Sequence, residues 1–287
     1  MNEPVLVSFC SFAKQHVESG DIDPTYPVLK RVYEAERLDR EQALWRTLLY
    51  VAFYHLGSSQ AAARAYPDPM ARSFQGGPSL KTGVERRGFR GNDLVWGHLQ
   101  AVVDRARASG GLWAWVDSAV RQGGKVGWRA LRDAFQEFPH AGPWSSYKLA
   151  DLLKNVHDLP ITADDIGVGG GSATAGPIPG MVRVTGANWK TCATDVGLQQ
   201  ELHDECVWRG VPFNGLDQLE TSLCDFNSAC KGRYYVGHDI DDQMEKIDGL
   251  GPVWWEARAA SFAPSYLGEV GGWFGVRKQL RDGLRVQ

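Results

Sequence analysis

Two stretches of this sequence gather side chains able to do chemistry. The first reads Phe138-Pro139-His140-Ala141-Gly142-Pro143 and continues Trp144-Ser145-Ser146-Tyr147-Lys148-Leu149-Ala150. Gly142 lets the backbone turn without a Cβ and Pro143 suits a first helical turn, so two helices meet here in a tight hairpin. The N–H groups of the turn after Pro143 then point outward and make a site for an anion such as a DNA phosphate. Lys148, on the second helix, is near enough to share that charge. Beyond this helix stand two adjacent carboxylates, Asp164 and Asp165. They form either a proton-accepting site or an ordinary helix N-terminal pair after Thr162.

The second stretch is residues 230–242, CKGRYYVGHDIDD. Lys231 offers a point charge and Arg233 a planar fork, the two geometries that hold phosphate or pyrophosphate. Tyr234 and Tyr235 can stack on a base or hydrogen-bond through their hydroxyls. Asp239 and Asp241 are placed to orient the cations or to hold a magnesium ion. The plainer alternative is a surface hairpin whose alternating charges open a helix at Ile240. Cys192, Cys206, Cys224 and Cys230 lack paired spacing, and His203 with Cys206 makes a weak pattern, so no zinc or iron–sulfur site is expected.

Two further groups carry binary readings. Lys81, Arg86, Arg87 and Arg90 against Glu85 give a local charge of +3, four cations less one carboxylate, suited to a phosphate backbone or to a solvated helix. Arg37, Asp39, Trp45, Tyr50 and Tyr54 fall on or beside one amphipathic helix, as core around an Arg–Asp tie or as the wall of a pocket.

The elements that must position these groups are helical. Val5, Phe9, Phe12 and Val17 mark one helix; Ala43, Leu44, Thr47, Leu48, Val51 and Tyr54 mark another, with Asp39 as N-cap, Gln42 completing a capping box and Gly57 as its stop. Further helices are expected at 92–109, 111–122, 126–138, 196–209, 215–228, 252–260 and 273–284, and a strand or turn at 232–239. Residues 167–180, GVGGGSATAGPIPG, read as a loop. The expected class is therefore mainly α, with a helical part over 1–166, the glycine-rich loop, and a second helical part over 181–287 completing the same catalytic unit.

Composition sets outer limits. The chain has 287 residues, 43% hydrophobic content and a net charge of −3, enough apolar surface for a core and no whole-chain basic field. Any polyanion must be met locally. Five cysteines without a secretory leader argue for reduced thiols, and no apolar run is long enough to span a bilayer. A protein of the cytoplasm with no membrane partner is expected.

The hairpin, over about 126–156, resembles the helix-hairpin-helix of base-excision DNA glycosylases, although His140 stands where glycine is usual. In those enzymes an aspartate lies about two dozen residues beyond the hairpin glycine, at the mouth of the base pocket, and Asp164 and Asp165 occupy that offset. The chain as a whole resembles the α-glutamyl/putrescinyl-thymine pyrophosphorylase-like proteins, the amino acid:DNA transferases by which bacteriophages hypermodify thymine. The likeness rests on Asp23-Pro24-x-Tyr26-Pro27-Val28-Leu29, on Glu36-Arg37-Leu38-Asp39 with the helix from Trp45 to Tyr54, on Gly142-Pro143-Trp144-x-Ser146-Tyr147-Lys148-x-Ala150-Asp151, and on Lys231-Gly232-Arg233-Tyr234-Tyr235-x-Gly237. The resemblance implies a glycosylase-like helical fold acting on double-stranded DNA that carries 5-pyrophosphoryloxymethyl-uracil. An amine, from an amino acid such as glycine or from a polyamine, displaces the pyrophosphate.

In that reaction Asp164 or Asp165 takes the proton of the attacking ammonium, and Lys231, Arg233, Tyr234 and Tyr235 hold the pyrophosphate. Gly142, Trp144, Ser145, Ser146, Tyr147 and Lys148, with Arg86, Arg87 and Arg90, meet the DNA, and Arg37, Asp39 and Tyr54 wall the pocket. No cofactor is required beyond the amine co-substrate, with magnesium as an option. A true glycosylase, releasing free base, and a non-catalytic DNA-binding protein are the competing readings.

Overall fold

The computed structural model describes residues 1–70, 77–83, 91–167, 176–232, 240 and 243–262. Among these, thirteen helices and one isolated parallel bridge, Gly124 to Ile161, make up the regular structure, so the class is mainly α. No helix among the described residues is long and apolar enough to cross a membrane. Packing divides the chain into two units: residues 26–161 with 242–257, and residues 1–25 with 162–241 and 258–287.

The first of these units holds α2 (Thr25–Ala35, from its second residue), α3 (Arg40–Phe53), α4 (Leu56–Ala65), α5 (Asn92–Ser109), α6 (Leu112–Ala119), α7 (Gly124–Gln136) and α8 (Pro143–Asn155). Its hub is α3, which packs on α4, α5, α6 and α8 and buries every residue from Leu48 to Phe53. The expected cap is present: Asp39 Oδ1 accepts from Gln42 N at 2.8 Å and Gln42 Oε1 from Asp39 N at 3.2 Å. In the same first turn, Glu41 reaches across to α6, whose N-cap is Gly111 and supplies no side chain. Its carboxylate accepts from Leu112 N at 2.7 Å and Trp113 N at 3.0 Å, a negative charge on a helix N-terminus. Trp113 closes the contact, its indole N–H donating to Arg40 O at 2.6 Å.

Against this hub, Thr47 Oγ1 lies 2.8 Å from His157 Nε2 and 3.4 Å from the Tyr33 hydroxyl. Burial pushes the Tyr33 phenol up to about 12. The same burial holds the His157 imidazole down at about 4, with Asp158 opposing and Arg40 and Lys30 adding to the shift.

The second unit holds α1 (Glu3–Glu18), α9 (Pro177–Thr185), α10 (Trp189–Thr194), α11 (Val196–Trp208) and α12 (Leu216–Cys230). Here α12 is central, packed on α9, α1 and α11. Phe226 of α12 meets Phe9 and Phe12 of α1 at centroid distances of 5.3 and 5.6 Å. Buried His16 has Nδ1 at 3.3 Å from Ser222 Oγ and Nε2 at 3.3 Å from Asp225 Oδ2. The last helix among the described residues is α13 (Pro252–Ser261), whose residues up to 257 belong to the first unit described and the remainder to the second.

Most expected helices appear within a residue or two, but α2, α4, α9 and α10 were not expected, and glycine and proline explain two of them. Gly57 does not stop α3, which ends at Tyr54 in a left-handed conformation with φ 46°. Instead Gly57 sits in the first turn of α4, where a Cβ would collide with the carbonyl of Lys246. Likewise the stretch expected as loop turns helical at Pro177, a residue whose missing N–H and fixed φ suit a first turn. Within α9, Gly180 lets the backbone approach α12, and a Cβ there would collide with the carbonyl of Leu223. The expected strand or turn at 232–239 lies outside the described residues beyond Gly232, as does the helix expected at 273–284.

Helix propensity alone makes Gly180→Ala stabilising by about 1 kcal/mol. The α9–α12 approach reverses the sign, and chemical denaturation should show a loss of about 1–3 kcal/mol. A second expectation concerns acid. Native His157 takes its proton near pH 4 and the unfolded chain near 6.5. Its contribution is therefore complete above pH 6.5 and is lost as pH falls to about 4, by at most about 3 kcal/mol. Denaturation curves of His157→Gln across that window should lack this slope; an unchanged slope would refute the assignment.

Candidate functional site

In the unit built on α3, helices α7 and α8 are joined through residues 137–142 and pack on each other. The turn's left-handed residue is His140, with φ 64°, whereas Gly142 is extended at φ −132°. Gly142 is thus not the residue that reverses the chain; the position that resists a side chain is the one at which histidine departs from the glycosylase pattern. The turn is held from α5: the His98 ring N–H donates to Pro139 O at 2.9 Å, and its ring packs edge-on to Phe135 and Phe138 at 5.3 and 6.1 Å. On the α8 side, Gly142 N donates to Ser145 Oγ at 2.9 Å. His98 was not singled out in the sequence, where a histidine on an apolar helix face carries no signal of its own.

Four side chains expected to meet DNA are core residues instead. Ser145, Ser146, Tyr147 and Lys148 are 4%, 0%, 0% and 7% exposed. Tyr147 lies edge-on to Trp128 at 5.2 Å with the Arg132 guanidinium over its ring at 5.3 Å. Lys148 turns inward to Asp151, Nζ to Oδ2 3.3 Å, and the Tyr26 hydroxyl donates to the same oxygen at 2.7 Å. Asn155 Nδ2 donates to the other carboxylate oxygen at 2.9 Å. A lysine so placed serves a buried ion pair and does not present its charge to a phosphate. Tyr26 and Asp151 come from two separate motifs that carry the family resemblance, and the structure joins them.

Trp144, by contrast, stays half-buried and meets Tyr54 edge-on at 4.7 Å, with Tyr50 behind it at 5.3 Å from Tyr54. Trp144 and Tyr54, both half-buried, and the buried Tyr50 make an aromatic cluster at the start of α8. Arg37 and Asp39 do not make the buried tie considered in the sequence: both are exposed, and Asp39 is occupied in capping α3. Arg37 has a left-handed φ of 54° at the end of α2.

The paired carboxylates lie in the other unit, and they are not a helix N-terminus. Residues 162–167 are irregular. Asp164 is 6% exposed, between Ala163 and Ile166 at 0% each. Ile166 N donates to Gln199 Oε1 at 3.1 Å, and Gln199 Nε2 donates to Cys192 O at 3.1 Å, so a buried α11 amide fixes the segment. Asp165 folds back on its own chain, Oδ1 accepting from Gly167 N at 2.8 Å. The two acids therefore have different situations, one carboxyl enclosed and the other committed to a turn.

Lys231 is exposed and follows the last residue of α12, a favourable place for a cation. Arg86, Arg87, Arg90, Arg233, Tyr234, Tyr235, Asp239 and Asp241 lie outside the described residues. Among the described residues no group of three or more His, Cys, Asp or Glu side chains is arranged to hold a metal ion.

The Lys148–Asp151 pair yields a quantitative expectation. Asp151→Asn leaves a buried ammonium without its counter-charge and should cost about 3–5 kcal/mol, whereas Tyr26→Phe removes one hydrogen bond and about 1 kcal/mol. Replacing both ends, Lys148→Met with Asp151→Leu, should recover most of the first loss. Urea denaturation of the three variants tests this, and a loss under about 1 kcal/mol for Asp151→Asn would remove the pair from its structural role.

Comparison with known proteins agrees with the resemblance of the motifs. A putrescinyltransferase of Delftia phage PhiW-14 is 24% identical over 269 residues, covering 87% of this chain and 80% of that protein. Residues 17–235, most of the described chain and both candidate regions up to Tyr235, match the amino acid:DNA transferase family. The chain therefore belongs to the amino acid:DNA transferases, enzymes that transfer an amine to DNA.

Proposed function

We propose that this transferase replaces the pyrophosphate of 5-pyrophosphoryloxymethyl-uracil in duplex DNA by an amine. The amine nitrogen forms a bond to the exocyclic carbon on C5 of the base, the carbon–oxygen bond breaks, and pyrophosphate leaves with the bonding pair. The base is extruded from the duplex to reach the pocket, as chemistry on a stacked base requires. The fold is read as glycosylase-like, with α7, the turn and α8 as its helix-hairpin-helix. The N-terminal turn of α8 then takes a DNA phosphate, with Trp144 beside the gap that the extruded base leaves in the duplex.

The observation that carries the chemical assignment is the enclosure of Asp164 in an irregular segment pinned by Gln199. An attacking ammonium must first lose a proton, and a carboxylate out of bulk water and held in place is suited to take it. Asp165, with one oxygen engaged by Gly167 N, is assigned to shaping the segment. Lys231 and Arg233 are assigned to the departing pyrophosphate, with Tyr234 and Tyr235 beside them and Asp239 and Asp241 orienting the cations or holding magnesium. The name of the Delftia phage relative supports a polyamine as co-substrate, and the family name supports an amino acid.

The test is to incubate the protein with DNA carrying 5-pyrophosphoryloxymethyl-uracil and a pool of amino acids and polyamines, then to identify the nucleosides by mass spectrometry. Wild type should yield a nucleoside bearing one of the amines. Asp164→Asn should lower the rate by about 10²–10⁴ and Asp165→Asn by far less. Near-normal transfer by Asp164→Asn would overturn the proton assignment. Release of free base in place of an adduct would make the protein a glycosylase.

A further inference from the structure

We infer that the corner between α3 and α4 binds a phosphoryl group through Lys81, Lys246 and His55. The three residues come from separate stretches of one unit, and two close backbone approaches bring them together. The chain leaves α3 at Phe53, turns through left-handed Tyr54 and enters α4 behind an extended His55. On one side of this corner Gly83 N donates to Phe53 O at 2.9 Å, and a Cβ on Gly83 would collide with the Tyr54 carbonyl. The segment that carries Lys81 therefore lies directly on the corner. On the other side Leu56 N donates to Gln243 Oε1 at 3.1 Å, and the Lys246 carbonyl occupies the space a Cβ on Gly57 would need. Lys81 and Lys246 are exposed and His55 is half-buried. His55 Nδ1 accepts from Ser58 N at 3.0 Å, so the neutral ring carries its proton on Nε2 and keeps a donor there.

Like charges brought to one place repel, and a fold that gathers them there favours an anion. The effect is felt at His55: burial, then the Lys246 ammonium, then the Lys81 ammonium hold its imidazole below the usual value. Glu245 and Asp248 stand near Lys246 in sequence, yet among the described residues neither lysine forms an ion pair. Two ammonium groups and an imidazole N–H suit a phosphoryl group, whose oxygens each accept several charge-assisted hydrogen bonds. Next to His55, Tyr54 meets Trp144 at the start of α8, so an anion held here lies beside the aromatic cluster. The source of the phosphoryl group rests on the reading of the protein as a transferase acting on duplex DNA. It is either a phosphate of the duplex backbone or the pyrophosphate carried by the base, and both present the same oxygens to the same donors.

The test compares wild type with Lys81→Gln, Lys246→Gln, the double lysine variant and His55→Asn, which keeps a capping side chain and removes the imidazole donor. Each is titrated with inorganic pyrophosphate by calorimetry and with unmodified duplex over a range of salt concentrations, and transfer to the modified duplex is followed in parallel. The lysine variants should unfold thermally at or above the wild-type temperature, because repulsion is relieved, while their anion binding falls; a merely structural role would lower both. If the group is a backbone phosphate, the double variant lowers the slope of log affinity against log salt by about 1 and leaves pyrophosphate binding unchanged. If it is the pyrophosphate, each lysine variant weakens calorimetric binding about tenfold and the salt slope stays as in wild type. His55→Asn should weaken the same titration about threefold. Wild-type slope and wild-type pyrophosphate affinity in the double variant would overturn the site, and with transfer intact would leave the reaction standing. Weakened binding in the lysine variants of a protein that transfers no amine to DNA would support the site and overturn the reaction.

Discussion

The ammonium of Lys148 sits in the core of its unit, and that single burial constrains much around it. Removing such a charge from water costs several kcal/mol unless a counter-charge and hydrogen bonds answer it. Asp151 supplies the charge from one turn along the same helix, and Tyr26 and Asn155 complete the carboxylate's hydrogen bonds. The consequence is positional. Tyr26 is near the start of α2 and Asp151 is in the middle of α8, so the answer to the charge ties a remote segment to the helix whose N-terminus faces outward at Gly142 and Pro143. Pairs of this kind are weak sources of net stability compared with apolar packing, but they admit few alternative arrangements.

Around α8 the same economy recurs. His98 of α5 holds the Pro139 carbonyl, Arg132 of α7 lies over Tyr147, and Tyr54 at the end of α3 meets Trp144. Each contact joins a different helix to the turn or to the first turns of α8. Polar and aromatic groups near this helix thus fix its geometry from several directions.

Much of the fold was legible in the sequence. The capping box at Asp39 and Gln42, the apolar spacing of α3 and α5, and the Gly-Pro start of α8 are local signals with local causes, and each appears as expected. The errors share a different origin. Gly57 and Gly180 were read as punctuation because a glycine's dihedral freedom is visible in sequence, whereas the carbonyls of Lys246 and Leu223 that forbid a Cβ are distant in the chain. Lys148 was read as near enough to share the charge of a DNA phosphate, the ordinary expectation for a side chain that is mostly found in solvent. Its i,i+3 carboxylate, Asp151, was the available clue, but that spacing is equally common on solvated helices. The hairpin glycine was credited with the reversal that His140 makes, since histidine at positive φ is rare enough that no pattern announces it.

The pair of aspartates shows what kind of information was missing at the site. In sequence, Asp164 and Asp165 are interchangeable, and after Thr162 both fit a helix start. What separates them is the backbone between Ala163 and Gly167, which is irregular because it satisfies its polar groups by other means: Gln199 takes up Ile166 N, and Asp165 takes up Gly167 N. A helix start would have spent both carboxylates on N–H groups of the first turn. Here one carboxylate shapes the chain, and the neighbour is carried inward beside two fully buried apolar residues, Ala163 and Ile166. Gln199 lies far along the chain on α11, and nothing in its own surroundings marks it as the residue on which this division depends. Residue type alone thus left the two aspartates equivalent, and the backbone that distinguishes them is held by a side chain more than thirty positions away.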